Sequence, residues 1–174
     1  MTQRRDNTRS SKVDCTDDGR YLVIDGRRWR ASDPAIPEAL RQELVDELMS
    51  ARRAVRTDPV SARSRVQDAK VALGERGRAW WEEPSAEERQ ERVTATIRAL
   101  LRKRDGKSIC PSDVARVVGG DAWRDRMSDV RAVAGDLAGR GVLVVTQKGE
   151  TVAADASGPI RLNRGERFEV PVEP

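Results

Sequence analysis

Ile109-Cys110-Pro111-Ser112-Asp113-Val114-Ala115-Arg116-Val117-Val118-Gly119-Gly120-Asp121-Ala122-Trp123 is the stretch on which the fold turns. A short extended approach, Lys107 to Ile109, ends at Cys110-Pro111. Proline suits the first turn of a helix because it has no amide to leave unbonded there. Val114, Ala115, Val117 and Val118 give that helix one apolar side, and Gly119-Gly120 close it. Upstream, Ser85 and Glu88 form a capping-box signature. The helix they open carries Val93, Ile97, Leu100 and Leu101 on one stripe and stops near Asp105-Gly106. Downstream, a longer helix runs from about Ala122 to Arg140, with Trp123, Met127, Val130, Ala134 and Leu137 buried, and Gly141 halts it. Val142 to Gln147 then reads as a strand and Lys148-Gly149-Glu150 as its turn. Thr151 to Ala153 return, and Pro159 to Leu162 add a further short strand. Helix, short strand, helix, turn, helix, strand, turn, strand is the order of a winged helix-turn-helix.

The N-terminal half reads differently. Asp25-Gly26 sits between two short extended segments and suits a type I′ turn, in which both central residues need positive φ. Closing that turn sets Ile24 opposite Arg27 and Leu22 opposite Trp29. Leu22, Ile24 and Trp29 then share a face predicted to be buried, with Arg28 and Arg30 on the other. A helix from about Pro37 to Arg56 follows, with Leu40, Leu44, Leu48, Ala51 and Val55 on its stripe. Thr57-Asp58-Pro59 breaks it, and a second helix over about 60–73 carries Ala62, Val66, Ala69 and Leu73. Trp80 and Trp81 are expected to close this small core. The fold class is therefore α+β, mainly helical: a β-hairpin and a helical hairpin, then a winged helix-turn-helix. The expected division is a disordered basic arm at 1–18, the hairpin and two-helix domain at 19–83, the winged helix at 84–164 and an acidic tail at 165–174.

Composition narrows the function. The chain has 174 residues, no His and two cysteines. Lacking His removes the commonest general base and most zinc sites. Gly106-Lys107-Ser108 ends like a phosphate-binding loop, but Leu101 stands where the first glycine is required. Asp17-Asp18 and Glu82-Glu83 are adjacent carboxylates whose side chains point apart. No catalytic residue, metal site or cofactor is expected, and the chain is read as non-enzymatic. With no long apolar run and no charged start leading into an apolar stretch, it is read as cytoplasmic and off the membrane. Cys110 is expected to be a small buried or capping residue.

Net charge is +3 over residues 1–30, −1 over 31–84, +4 over 85–164 and −2 over the last ten. Basic charge in the arm and the winged helix points to double-stranded DNA as partner, the protein acting as a transcriptional regulator. The third helix of such a fold lies in the major groove, and the wing touches phosphate or minor groove. Arg124, Arg126, Ser128 and Arg131 on helix 122–140, with Gln147 and Lys148 at the wing and Thr151 beside them, are the candidate DNA contacts. Asp121, Asp125, Asp129 and Asp136 thread the same helix and favour the alternative, a protein–protein interaction module that uses the scaffold without nucleic acid. A third option is single-stranded nucleic acid on Tyr21, Arg28, Trp29 and Arg30.

Four separated motifs carry a resemblance. Gly106 to Arg116, Gly119 to Arg124, Val144 to Gly149 and Gly158 to Arg161 are together similar to a bacterial family, domain-of-unknown-function family 3253, over about residues 88 to 164. The resemblance implies a winged-helix fold and carries no biochemical activity with it. Asp18 to Arg30 and Asp68 to Gly77 resemble short bacterial proteins that bear an automatic label as Tol biopolymer transporters.

Overall fold

The computed structural model describes residues 13–169. The chain divides between Ala31 and Ser32 into two compact units. The first is a three-stranded antiparallel sheet of β1 (Asp14–Cys15), β2 (Tyr21–Ile24) and β3 (Arg27–Arg30), in that order. Leu22 faces Trp29 and Ile24 faces Arg27, the predicted register. Asp25 (φ 49°) and Gly26 (φ 77°) both take the positive φ that a type I′ turn demands. Two expectations need correcting. Cys15 pairs with Leu22, so the arm read as disordered to residue 18 holds a strand in its last part; residues 1–12 lie outside the described residues. Trp29 is 48% exposed rather than buried, because strands this short offer no opposing layer of their own to cover a face.

The second unit begins with α1 (Glu38–Ala54) and α2 (Pro59–Ala72). Leu40, Leu44, Leu48 and Ala51 recur at helical spacing and are buried on α1. Asp58 caps α2 by accepting from the Ser61 amide at 3.2 Å, and Pro59 fills the first turn. Both pack on α3 (Ala86–Lys103), as do α4 (Pro111–Gly119) and α5 (Met127–Gly139). The Ser85–Glu88 capping box forms in both directions, at 3.2 and 2.7 Å. Helix α3 is therefore central, and every residue from Ala95 to Arg102 is buried. The second sheet has the order β5-β4-β6: β4 (Leu143–Gln147), β5 (Glu150–Thr151) and β6 (Arg161–Arg164). Ile109 bridges Leu162 through two backbone bonds of 3.0 and 2.9 Å, the short strand expected before α4. This is the α+β, mainly helical class read from the sequence, with the winged-helix element order in place.

Three differences matter. The stretch read as one helix over 122–140 is broken: Gly120–Arg126 is a 3₁₀ segment with non-helical dihedrals at Ala122, and α5 starts at Met127. Gly120 (φ 52°, ψ −126°) turns the chain out of α4 where a Cβ would stand 2.9 Å from the Ala35 Cβ, so the entry into the 3₁₀ segment uses backbone that only glycine fits. The tail read as acidic begins in the core. Phe168 is 2% exposed, with the guanidinium carbons of Arg164, Arg102 and Arg98 at 5.0, 5.6 and 5.8 Å from its ring centre. Trp80 and Trp81 are half-buried, forming an edge-to-face pair with ring centres 5.0 Å apart.

Ion pairs tie the helices together. Arg104, at the end of α3, grips Glu43 of α1 with two bonds of 2.7 and 2.9 Å and Asp113 of α4 with one of 2.8 Å. The two carboxylates hold its pKa above the ordinary arginine value, with the Glu43 hydrogen bond the larger cause. Arg65 forks onto Glu47 at 2.8 and 3.0 Å, joining α2 to α1. Arg102 of α3 meets Asp68 of α2 at 2.5 Å. Burial pushes the Asp68 carboxyl above its ordinary value, and Arg102 opposes that shift.

Candidate nucleic-acid interface

The sequence assigns six side chains to one DNA-facing surface, and the structure distributes them among different tasks. Arg124 lies in the 3₁₀ segment, exposed, with its guanidinium 4.6 Å from the Trp123 ring centre. Arg116 of α4 lies 4.4 Å from the same ring. Two cations therefore stack on one tryptophan at the turn between α4 and α5. Arg126 is half-buried beside Gly119, whose Cβ would stand 2.8 Å from the Arg126 Cγ. It lines a cleft of about 370 Å³, together with Trp80, Trp81, Asp33 and Arg92, away from the wing. Within that cleft Arg92 donates to Asp33 at 2.8 Å and reaches the Ala72 and Val117 carbonyls at 3.4 and 3.5 Å.

Arg131 and Gln147 are turned to the protein's own backbone. Arg131 Nη1 donates to the Ala154 and Ala156 carbonyls at 2.9 and 2.8 Å, and Nη2 donates to the Gly158 carbonyl at 2.7 Å. Gln147 Nε2 donates to the Ser157 and Pro159 carbonyls at 2.8 and 3.2 Å. Five carbonyls of the loop that follows β5 are satisfied by two side chains, which replaces the ladder bonds that this irregular segment lacks. Ser128 is exposed in the first turn of α5, and Lys148 (φ 52°) stands exposed at the wing turn. Only Arg124, Ser128 and Lys148 remain fully presented to solvent.

The acidic residues behave in the opposite way. Among the described residues, Asp121, Asp125, Asp129 and Asp136 form no ion pair with any Lys or Arg. Asp155, exposed in the loop, forms none either. On α5 the exposed residues are Ser128, Ala132, Asp136 and Gly139; Asp129 is half-buried and lines the cleft beside Arg126, and Arg131, the helix's one basic residue, is occupied by the loop.

Between α5 and the loop lies a groove of about 650 Å³, lined mainly by Ala132, Gly135, Ala138, Val152, Ala153 and Ala154, with Ser128, Arg131 and Asp155 at its edges. No local sequence pattern announces it, because one wall comes from a helix and the other from a loop pinned by long-range bonds. The small residues of α5 were the only signal available.

No group of three or more Cys, Asp or Glu among the described residues is placed to hold a metal ion, and no helix there is long and apolar enough to cross a membrane. Cys15 and Cys110 are free thiols; Cys110 precedes α4 and its sulfur accepts from the Ser112 hydroxyl at 3.0 Å.

Residues 90–165 match a family described as Protein of unknown function (DUF3253). That span runs from α3 through β6, the part in which the sequence carries its four motifs. It stops short of the N-terminal half, where the Tol-labelled resemblance was read. Among curated proteins, none matches the chain.

Proposed function

We propose that this protein is a non-enzymatic protein-interaction module of the cytoplasm, with a winged-helix scaffold whose α5 face engages another protein. One observation carries this reading: the solvent face of α5 bears unpaired carboxylates and no available cation. Duplex DNA presents about one negative charge per 1.7 Å of axis, so a recognition helix with that face would be repelled from the groove it is meant to read. Fluorescence anisotropy of the full chain with random duplex DNA across a salt series tests it. A nearly flat log–log dependence is expected. A slope of several units, at about 0.9 per neutralised phosphate, overturns it.

Duplex DNA as the partner of a transcriptional regulator is the second reading, supported by Arg116 and Arg124 stacked on Trp123 and by Lys148 at the wing. It moves the contacts off α5 to the turn between α4 and α5 and to the wing. Charge reversal at Arg124 and Lys148 would then weaken duplex binding, and unchanged affinity in the folded double mutant would sink this docking.

A further inference from the structure

We infer that the groove between α5 and the 152–155 loop is a docking site for a basic, amphipathic segment of a partner protein. The inference rests on the protein-interaction reading and names the chemistry of the partner. The groove floor is made of side chains no larger than valine: Ala132, Gly135, Ala138, Val152, Ala153 and Ala154. Such a floor lets a partner backbone come close and gives it van der Waals contact rather than hydrogen bonds. At Gly135 even an added Cβ would meet only the Ala154 Cβ, at 3.5 Å, so the depth of the groove is set by that absent side chain.

The rim supplies the sign of the partner. Asp136, exposed on α5 one turn beyond Ala132, stands on the helix side, and Asp155 stands on the loop side; Asp129 belongs to the other cleft, beside Arg126. Neither Asp136 nor Asp155 has an ion-pair partner among the described residues. The one cation at the groove, Arg131, has its charge spread over three carbonyls. An apolar ridge flanked by lysine or arginine on both sides therefore complements the groove in shape and in charge.

The wall is also prepared in advance. Arg131 and Gln147 hold the loop at Ala154, Ala156, Ser157, Gly158 and Pro159, so the loop need not be ordered when a partner arrives. Arg131 and Gln147, both candidate DNA contacts in the sequence, hold this wall in place.

The test is anisotropy of the full chain with three labelled probes: a synthetic helical peptide with an alanine–leucine face and lysine flanks, its glutamate-flanked counterpart, and random duplex DNA. The protein's net charge of +4 opposes general attraction of a lysine peptide, so its binding reports local complementarity. The lysine peptide is expected to bind and the glutamate peptide not. Ala132→Arg, an exposed position on α5 that keeps a good helix former, is expected to lower affinity about tenfold. Asp136→Asn with Asp155→Asn is expected to lower it less and to flatten its salt dependence. Circular dichroism confirms that each variant is folded. Failure of the lysine peptide to bind, or equal binding to folded Ala132→Arg, overturns the groove proposal while leaving the protein-interaction reading intact. Salt-dependent binding of the duplex with a slope of several units overturns that reading as well.

Discussion

Charge is used in two opposite ways in the second unit. In the helical hairpin, all four carboxylates of α1 and the single one of α2 sit in ion pairs: Glu38 with Arg41, Glu43 with Arg104, Asp46 with Lys103, Glu47 with Arg65 and Asp68 with Arg102. In the 3₁₀ segment and α5, none of Asp121, Asp125, Asp129 and Asp136 is paired. Arg116 and Arg124 stack on an aromatic ring, and Arg131 binds carbonyls. Paired charges between packed helices fix their arrangement. Unpaired charges on a rigid face cost little while solvated and stay available to a partner. Under the proposed protein-interaction reading, the hairpin is scaffold and the α5 face is the docking surface.

Substitutions can break or sharpen that contrast. Phe168→Ala should cost the most, about 3–5 kcal/mol in urea denaturation, since it empties a buried aromatic site and leaves three arginines facing the void. Arg104→Ala should cost about 2 kcal/mol by the same measurement, because it strands Glu43 and Asp113 at a joint of three helices; partial exposure keeps the loss below that of a fully buried pair. Arg131→Ala should lower global stability by only about 1 kcal/mol, but hydrogen exchange should show the amides of residues 154–158 opening at least about tenfold faster. The smallest effect belongs to the acidic face: Asp121, Asp125 and Asp136 changed together to Asn should shift stability by less than about 0.5 kcal/mol. A larger loss there would mean those carboxylates are structural after all, and the contrast would collapse.

How much could be read from the chain follows the range of the forces involved. The Asp25-Gly26 turn, the Ser85 capping box, the buried stripe of α1 and the extended approach at Ile109 are local or periodic, and each reads directly from neighbouring residues. The split of the third winged-helix element was signalled only by Gly119-Gly120, and helical spacing from Trp123 to Leu137 masked it. The capture of Arg131 depends on a loop more than twenty positions downstream in the chain, so its side chain counted as free. Phe168 was hidden because the charge of the last ten residues drew attention away from their one large apolar ring. Trp29 failed in the other direction: alternation told which face it shares, but nothing local tells whether a face is covered.

The position of α3 has a consequence for heredity as well as for folding. It is walled by α1 and α2 on one flank and by α4 and α5 on another, yet the span shared with the family runs only over residues 90–165. A gene fragment limited to that span would translate into a half-built wall, with Leu100 and Leu101 stripped of part of their cover, Arg102 without Asp68 and Arg104 without Glu43. The matched span is thus smaller than the set of helices that buries α3.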